Sequence, residues 1–285
     1  MTEVSDGVSI GSIWDDMPYN NAASKEIAEL LGNLNVFDTP KPQKLLEEII
    51  RMGSKESDII LDFFAGSGTL NAACYSQNIA DGDRRRCISV QLPEPTPKGS
   101  AALKSGYNTI SDLAIERIRR AAAKIKEEHP DYEGDLGFRV FKLDSSNIKA
   151  WNAEAIAAAQ SDDEQAELLN EQVDHLLADR TEDDILYELL LKLGLDLCVP
   201  IEPREIAGKT VYSVGAGVLM VCLSDAITYE DSEPLAQGIV EWHREFAPSS
   251  DTQVFFRDSA FSDDVSKTNM AAILEQNGIN HVRSL

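Results

Sequence analysis

The chain has 285 residues, 43% hydrophobic and 26% charged, enough for one large domain or two ordinary ones with a sizeable core. No apolar run approaches the roughly 20 residues of a membrane span, and Met1-Thr2-Glu3-Val4-Ser5-Asp6 lacks the basic-then-apolar order of a secretory leader, so a cytoplasmic location and no membrane partner are expected. The formal charge of −23 argues against broad phosphate contact, but it is uneven: residues 150–285 hold 8 Lys plus Arg against 26 Asp plus Glu, or −18, leaving −5 for residues 1–149.

Cys74, Cys87, Cys198 and Cys222 lie far apart in apolar surroundings, which suits reduced thiols packed in a core. His129, His175, His243 and His281 are equally scattered, without a metal-ligand spacing, so no metal is expected.

In the first 35 residues, Ile10 to Trp14 reads as a short extended piece, and Ala23, Ile27, Leu30 and Leu31 recur at helical spacing. Asp16-Met17-Pro18-Tyr19 looks like a degraded Asp-Pro-Pro-Tyr, the catalytic signature of amino methyltransferases, but no buried strand leads into it and a proline turn before a helix accounts for it. Thr39-Pro40-Lys41-Pro42 then holds the chain extended and starts a helix whose apolar face is Leu45, Leu46, Ile49 and Ile50.

From Asp58 onward five apolar residues, Ile59, Ile60, Leu61, Phe63 and Phe64, interrupted only by Asp62, predict a strand of a parallel sheet buried on both faces. Ala65-Gly66-Ser67-Gly68 follows as a small, flexible turn, and a helix from Thr69 to about Gln77 starts where the glycines end, aiming its unpaired N–H groups at the crevice above the strand. A P-loop would need Gly-Lys-Ser/Thr where Gly68-Thr69-Leu70 stands, and a dinucleotide fingerprint would need a small residue at Asn71.

Arg86 to Leu92 reads as the next, parallel strand, with Gln91 and Glu94 placed to meet ribose hydroxyls. A long helix from Ser111 to about Glu127 should turn Leu113, Ile115, Ile118, Ala122 and Ile125 inward and Arg117, Arg119, Arg120, Lys124 and Lys126 outward to solvent. Leu136 to Asp144 reads as a third strand, and Ser145, Ser146 and Asn147 at its end either face the adenine side of the crevice or cap the next turn.

From Trp151 to Arg180 the composition is that of a helical arm with Leu168, Leu169, Val173, Leu176 and Leu177 as its stripe. Ile185 to Leu195 is another helix, Thr210 to Val214 and Val218 to Leu223 form a hairpin across Gly215-Ala216-Gly217, and helices over Leu235–Phe246 and Val265–Gln276 flank a strand at Gln253 to Arg257. These elements make a second, α+β domain; Asp258, Asp263 and Asp264 read as helix caps in it.

Asp62-x-Phe64-x-Gly66-Ser67-Gly68-Thr69 resembles the cofactor loop of S-adenosylmethionine-dependent amino methyltransferases of DNA. Together with Phe37 to Pro42, Arg85 to Glu94, Glu116 to Arg120 and Gly137 to Asn147, it resembles the modification (Mod) subunit of type III restriction-modification systems, a β-class adenine-N6 DNA methyltransferase. The resemblance implies a partial Rossmann-like α/β methyltransferase sheet followed by a smaller α+β domain. The expected divisions are a lead-in at 1–35, the S-adenosylmethionine-binding part at 36–150, a helical connector at 151–181 and the C-terminal domain at 182–285.

It also implies that Thr39, Pro40, Lys41 and Pro42, with Asp62, Phe63, Phe64, Ala65, Gly66, Ser67, Gly68 and Thr69, hold the methionine end of S-adenosylmethionine, and that Gln91 takes the ribose-contacting position usually filled by an acid. In this family the catalytic Asp-Pro-Pro-Tyr precedes the proline segment; no such tetrapeptide occurs in this sequence, so no catalytic residue is assigned and the chain alone is expected to be inactive. The implied partners are double-stranded DNA through the complete enzyme, a second modification subunit and the restriction subunit. A non-catalytic interaction module, or one half of a split methyltransferase, is the alternative.

Overall fold

A computed structural model describes residues 13–14, 17–33, 35–150, 153–158, 161, 163, 165–166 and 176–285. Ile10 to Ser12, Asp16, His175 and the stripe residues Leu168, Leu169 and Val173 lie outside them. The chain forms two compact units, Met1–Phe141 and Lys142–Leu285.

The first unit begins with α1 (Asn20–Leu31), which buries Ala23, Ile27 and Leu31 as their spacing predicts. Then comes α2 (Gln43–Gly53), with Pro42 at its N-cap. Proline has no hydroxyl or carboxylate with which to cap, and the Glu26 carboxylate of α1 accepts the Gln43 N–H instead, at 3.1 Å. Next are β1 (Ile59–Asp62), α3 (Thr69–Asp81) and β2 (Arg86–Ser89), a strand-helix-strand unit whose strands run parallel with Ile59 opposite Arg86 and Asp62 opposite Ser89.

That sheet is covered on one side only. Ile60 and Cys87 pack with Leu46, Ile50, Leu70, Ala73 and Cys74 of α2 and α3, whereas Ile59, Leu61, Ile88 and Val90 on the other face are half exposed. The expectation of a strand buried on both faces is therefore corrected: an apolar run fixes a strand's affinity for cover, not the presence of a second layer.

The short α4 (Ala101–Lys104) leads to α5 (Ile110–Glu128), which starts from a capping box of Thr109 and Asp112. Its buried stripe is Leu113, Ala114, Arg117, Ile118, Ala121 and Ile125, so Arg117 points inward rather than to solvent. Arg119 and Arg120 pair with Glu116, and Lys124 lies 3.7 Å from Glu128, in keeping with a solvated basic face. The third strand is not formed: Leu136 to Asp144 joins no ladder, and Val140, Phe141 and Leu143 are exposed. A β-prone segment becomes a strand only beside another strand, and no ladder to this one is formed among the described residues.

In the second unit, after the six-residue α6 (Ala153–Ala158) comes α7 (Glu182–Lys192), followed by β3 (Ile201–Ile206), β4 (Lys209–Val214), β5 (Leu219–Cys222), α8 (Tyr229–Phe246), β6 (Gln253–Phe256), α9 (Asp264–Gln276) and β7 (His281–Ser284). The strands form one sheet in the order β3-β4-β5-β6-β7, antiparallel from β3 to β5 and parallel from β5 to β7. Met220, Cys222, Val254 and Phe256 pack with α8 and α9, while Leu219, Val221 and Phe255 pack with α7. Both faces are covered, which is why β5 is apolar throughout.

The second unit thus combines a run of three antiparallel strands with a β5-α8-β6-α9-β7 part in which strands and helices alternate. The hairpin β4-β5 forms as expected, and Asp263 caps α9 by accepting the Ser266 N–H at 2.7 Å while Asp258 pairs with Lys267. The expected helical arm ends differently: Leu176 forms an antiparallel bridge with Ile148, and Leu177 donates its N–H to the Asn147 carbonyl at 2.9 Å. Of the cysteines, Cys74 and Cys222 are buried, but Cys198 is exposed and so does not pack in a core.

Candidate functional site

The carboxyl ends of β1 and β2 meet at the glycine turn. Asp62 leaves β1 and its Oδ1 accepts the Phe64 N–H at 3.1 Å, the short-range bond that aspartate makes where a strand breaks into a turn. Phe63 and Phe64 project outward, both well exposed, with their rings edge to face at 6.0 Å. Ala65 then donates its N–H to the Val90 carbonyl at 3.1 Å, and Gly66 donates its own to Gln91 Oε1 at 2.7 Å.

Two glycines are required here for separate reasons. Gly66 has φ +54°, and a β-carbon on it would lie 3.4 Å from Phe37 Cζ, so the start of the proline segment is brought against the turn. Gly68 has φ +73° as the N-cap of α3, and a β-carbon there would lie 3.2 Å from Ile118 Cγ1 and 3.3 Å from the Ala114 carbonyl oxygen. The space beside Gly68 is filled by α5, so its bare backbone serves helix packing.

No side chain caps α3. Its first N–H groups therefore keep the partial positive charge of a helix N-terminus. Ser67 and Thr69, on either side of Gly68, are buried, and both accept hydrogen bonds from Arg117 Nη1, at 2.9 and 2.6 Å respectively. Arg117 is 1% exposed, and burial pulls its guanidinium down to about 10, still cationic at neutral pH; Glu26 opposes that fall. Its Nε has no hydrogen-bond partner.

Of the remaining residues named from sequence, Thr39 and Lys41 are exposed, while Pro40 and Pro42 are buried. Gln91 is engaged on both sides of its amide: Oε1 accepts the Gly66 N–H and Nε2 donates to the Leu92 carbonyl at 3.2 Å. Ser146 and Asn147 do not face an adenine: Ser146 Oγ and the Asn147 N–H donate to the Glu188 carboxylate at 2.5 and 2.7 Å, and Asn147 Nδ2 donates to the Asp184 carbonyl, tying them to α7. The hollow lined by Ile79, Glu128 and His129 to Tyr132 lies at the opposite ends of α3 and α5 from the glycine turn.

Sequence reasoning missed Arg117. The signal was present: positions 113, 114, 117, 118, 121 and 125 make one helical stripe, and Arg117 is the charged residue within it.

Comparison with known proteins adds the family. Residues 2–90 match the DNA methylase family. The chain is 41% identical over 139 residues to the Mod subunit of the type III restriction-modification enzyme StyLTI from Salmonella typhimurium, covering 49% of this chain and 21% of that protein. It is 31% identical over 228 residues to the EcoP15I Mod subunit of Escherichia coli, covering 80% of this chain and 32% of that one. It is also 35% identical over 127 residues to the type II methyltransferase M.KpnI of Klebsiella pneumoniae, 44% of this chain and 29% of the relative. The chain thus spans a fifth to a third of the length of these relatives. A DNA methylase segment thus lies at the start of the chain, and similarity to modification subunits of type III restriction-modification enzymes runs through most of its length.

Proposed function

We propose that the first unit supplies the S-adenosylmethionine half-site of an adenine-N6 DNA methyltransferase, and that Asp62 to Thr69, Thr39 to Pro42 and Gln91 form that half-site. The observation that carries this reading is the glycine turn itself, set at the carboxyl ends of two parallel strands and leading into a helix without a cap. The residues fit the cofactor: a cationic arginine behind the turn and free helix N–H groups suit a carboxylate, and two exposed phenylalanines suit an adenosyl group. When bound, the cofactor supplies the methyl group. The protein's own part is to hold and orient it, through the turn, the α3 N-terminus and the strap of Gln91 on Gly66.

The uncovered face of β1 and β2 suits a layer supplied by other polypeptide, and the sequence has no Asp-Pro-Pro-Tyr with which to accept and stack a flipped adenine. On this reading the chain alone does not methylate. Duplex DNA, a second modification subunit and a restriction subunit are partners of the complete enzyme. Incubation with radiolabelled S-adenosylmethionine and duplex DNA should leave the DNA unlabelled, and adding a polypeptide that carries the Asp-Pro-Pro-Tyr half should give N6-methyladenine. Methylation by the chain alone contradicts the half-site.

A further inference from the structure

Arg117 is the best-buried charge among the described residues of the first unit, and the Glu26 carboxylate acts on it only through space, without an ion pair. No carboxylate lies within ion-pair distance among the described residues; its acceptors are two neutral hydroxyls, and Nε has none. A buried cation without a counter-charge is destabilising, and here it sits beside the positive end of α3, which adds to the cost. Packing alone would be better served by an apolar side chain of the same length.

The hydrogen-bond directions give the arrangement a purpose. A guanidinium can only donate, so the Ser67 and Thr69 oxygens are both acceptors toward Arg117 and their protons must turn elsewhere. The two hydroxyls lie 3.3 Å apart, so one proton can serve the other oxygen and the second is left to donate away from Arg117. The cation also polarises both hydroxyls.

We infer that Arg117 is a positioning residue for the site, orienting the Ser67–Thr69 hydroxyl pair so that one of them donates away from it, and supplying the positive charge that a ligand's carboxylate neutralises beside the N-terminus of α3. This rests on the cofactor reading above, and the group concerned is the amino-acid carboxylate of the cofactor rather than its adenosine.

The test compares two ligands by calorimetric titration of the full chain. S-adenosylhomocysteine carries the carboxylate; 5′-methylthioadenosine has the same nucleoside and a thioether but no amino acid. Arg117→Met should weaken S-adenosylhomocysteine about 10- to 100-fold, the range of a lost hydrogen bond to a charged group, and leave 5′-methylthioadenosine within about twofold. Arg117→Lys, which keeps the charge but not the fork, should fall between. If thermal melting shows that Arg117→Met does not fold, Thr69→Val replaces it, with a loss of several-fold confined to the same ligand. Equal weakening of both ligands would make Arg117 a merely structural residue, and an unchanged affinity for S-adenosylhomocysteine would remove it from the site; either overturns the inference and leaves the cofactor reading standing. Failure of the unsubstituted chain to bind either ligand overturns both.

Discussion

Gln91 Oε1 accepts the Gly66 N–H at 2.7 Å, so the end of β2 holds the tip of the turn that follows β1. An amide does this with one oxygen; a carboxylate at the same place would do it with one and keep a second for a hydroxyl. Gln91→Ala should lower the stability of the first unit by about 1 kcal/mol, the usual net worth of such a bond, and weaken S-adenosylmethionine. Gln91→Glu keeps an oxygen for Gly66 and should restore binding, with stability regained only in part because the donor to the Leu92 carbonyl is lost, as read by ligand titration and urea denaturation.

Gly68→Ala combines two penalties. The residue sits at φ +73°, and the new methyl group would press on the Ala114 carbonyl, which is helix backbone and cannot swing aside. The expected loss is about 2 kcal/mol or more, and shortening the other neighbour with Ile118→Val should recover only a small part of it. Denaturation midpoints of the two single variants and the double variant check this.

The two faces of β1 should answer differently to mutation. Leu61 is 53% exposed, so Leu61→Lys should change stability by less than about 0.5 kcal/mol and make the chain more soluble. Ile60 packs on α2 and α3, so Ile60→Ala should destabilise by about 2 kcal/mol. Equal losses would mean that the outer face is covered.

The second unit should be acid-labile. Asp231 closes the capping box of α8, and its carboxyl is held below the ordinary carboxylate range by hydrogen bonds from the Thr228 N–H and hydroxyl, aided by Lys209. Asp184 and Asp263 are lowered in the same way at the starts of α7 and α9. A carboxyl whose folded value lies below its unfolded one stabilises the fold above the unfolded value, about 3.9 for aspartate, and that contribution fades as pH falls through the folded value. Melting temperature should therefore drop below about pH 4, and Asp231→Asn should flatten the drop. The emission of buried Trp242, in a chain with Trp14 and Trp151 replaced by phenylalanine, reports on this unit.

Much of the first unit was legible because its signals are local. The strand, the two glycines and the helix after them occupy one short stretch, and the helical spacing of Ala23, Ile27 and Leu31 needs no partner to be seen. What was misread depends on neighbours: among the described residues Leu136 to Asp144 has strand composition but no strand beside it, and β1 has apolar residues on a face without a layer. In the second unit β3 escaped notice because Pro203 and its charged residues suit a loop as well as an edge strand, and β7 is short and exposed at the other edge. The turn between β3 and β4 was hidden because Ala207, at φ +50°, stands where glycine or asparagine is usual. Arg117 was misplaced because residue type was weighed above helical position.

The most direct test of the central claim, that the glycine turn receives S-adenosylmethionine, is calorimetric titration of the full chain with that cofactor. The account predicts saturable heat with one equivalent bound, abolished when Gly66 is replaced by valine in a chain that still melts cooperatively. No heat up to millimolar cofactor, or binding indifferent to Gly66→Val, would contradict it.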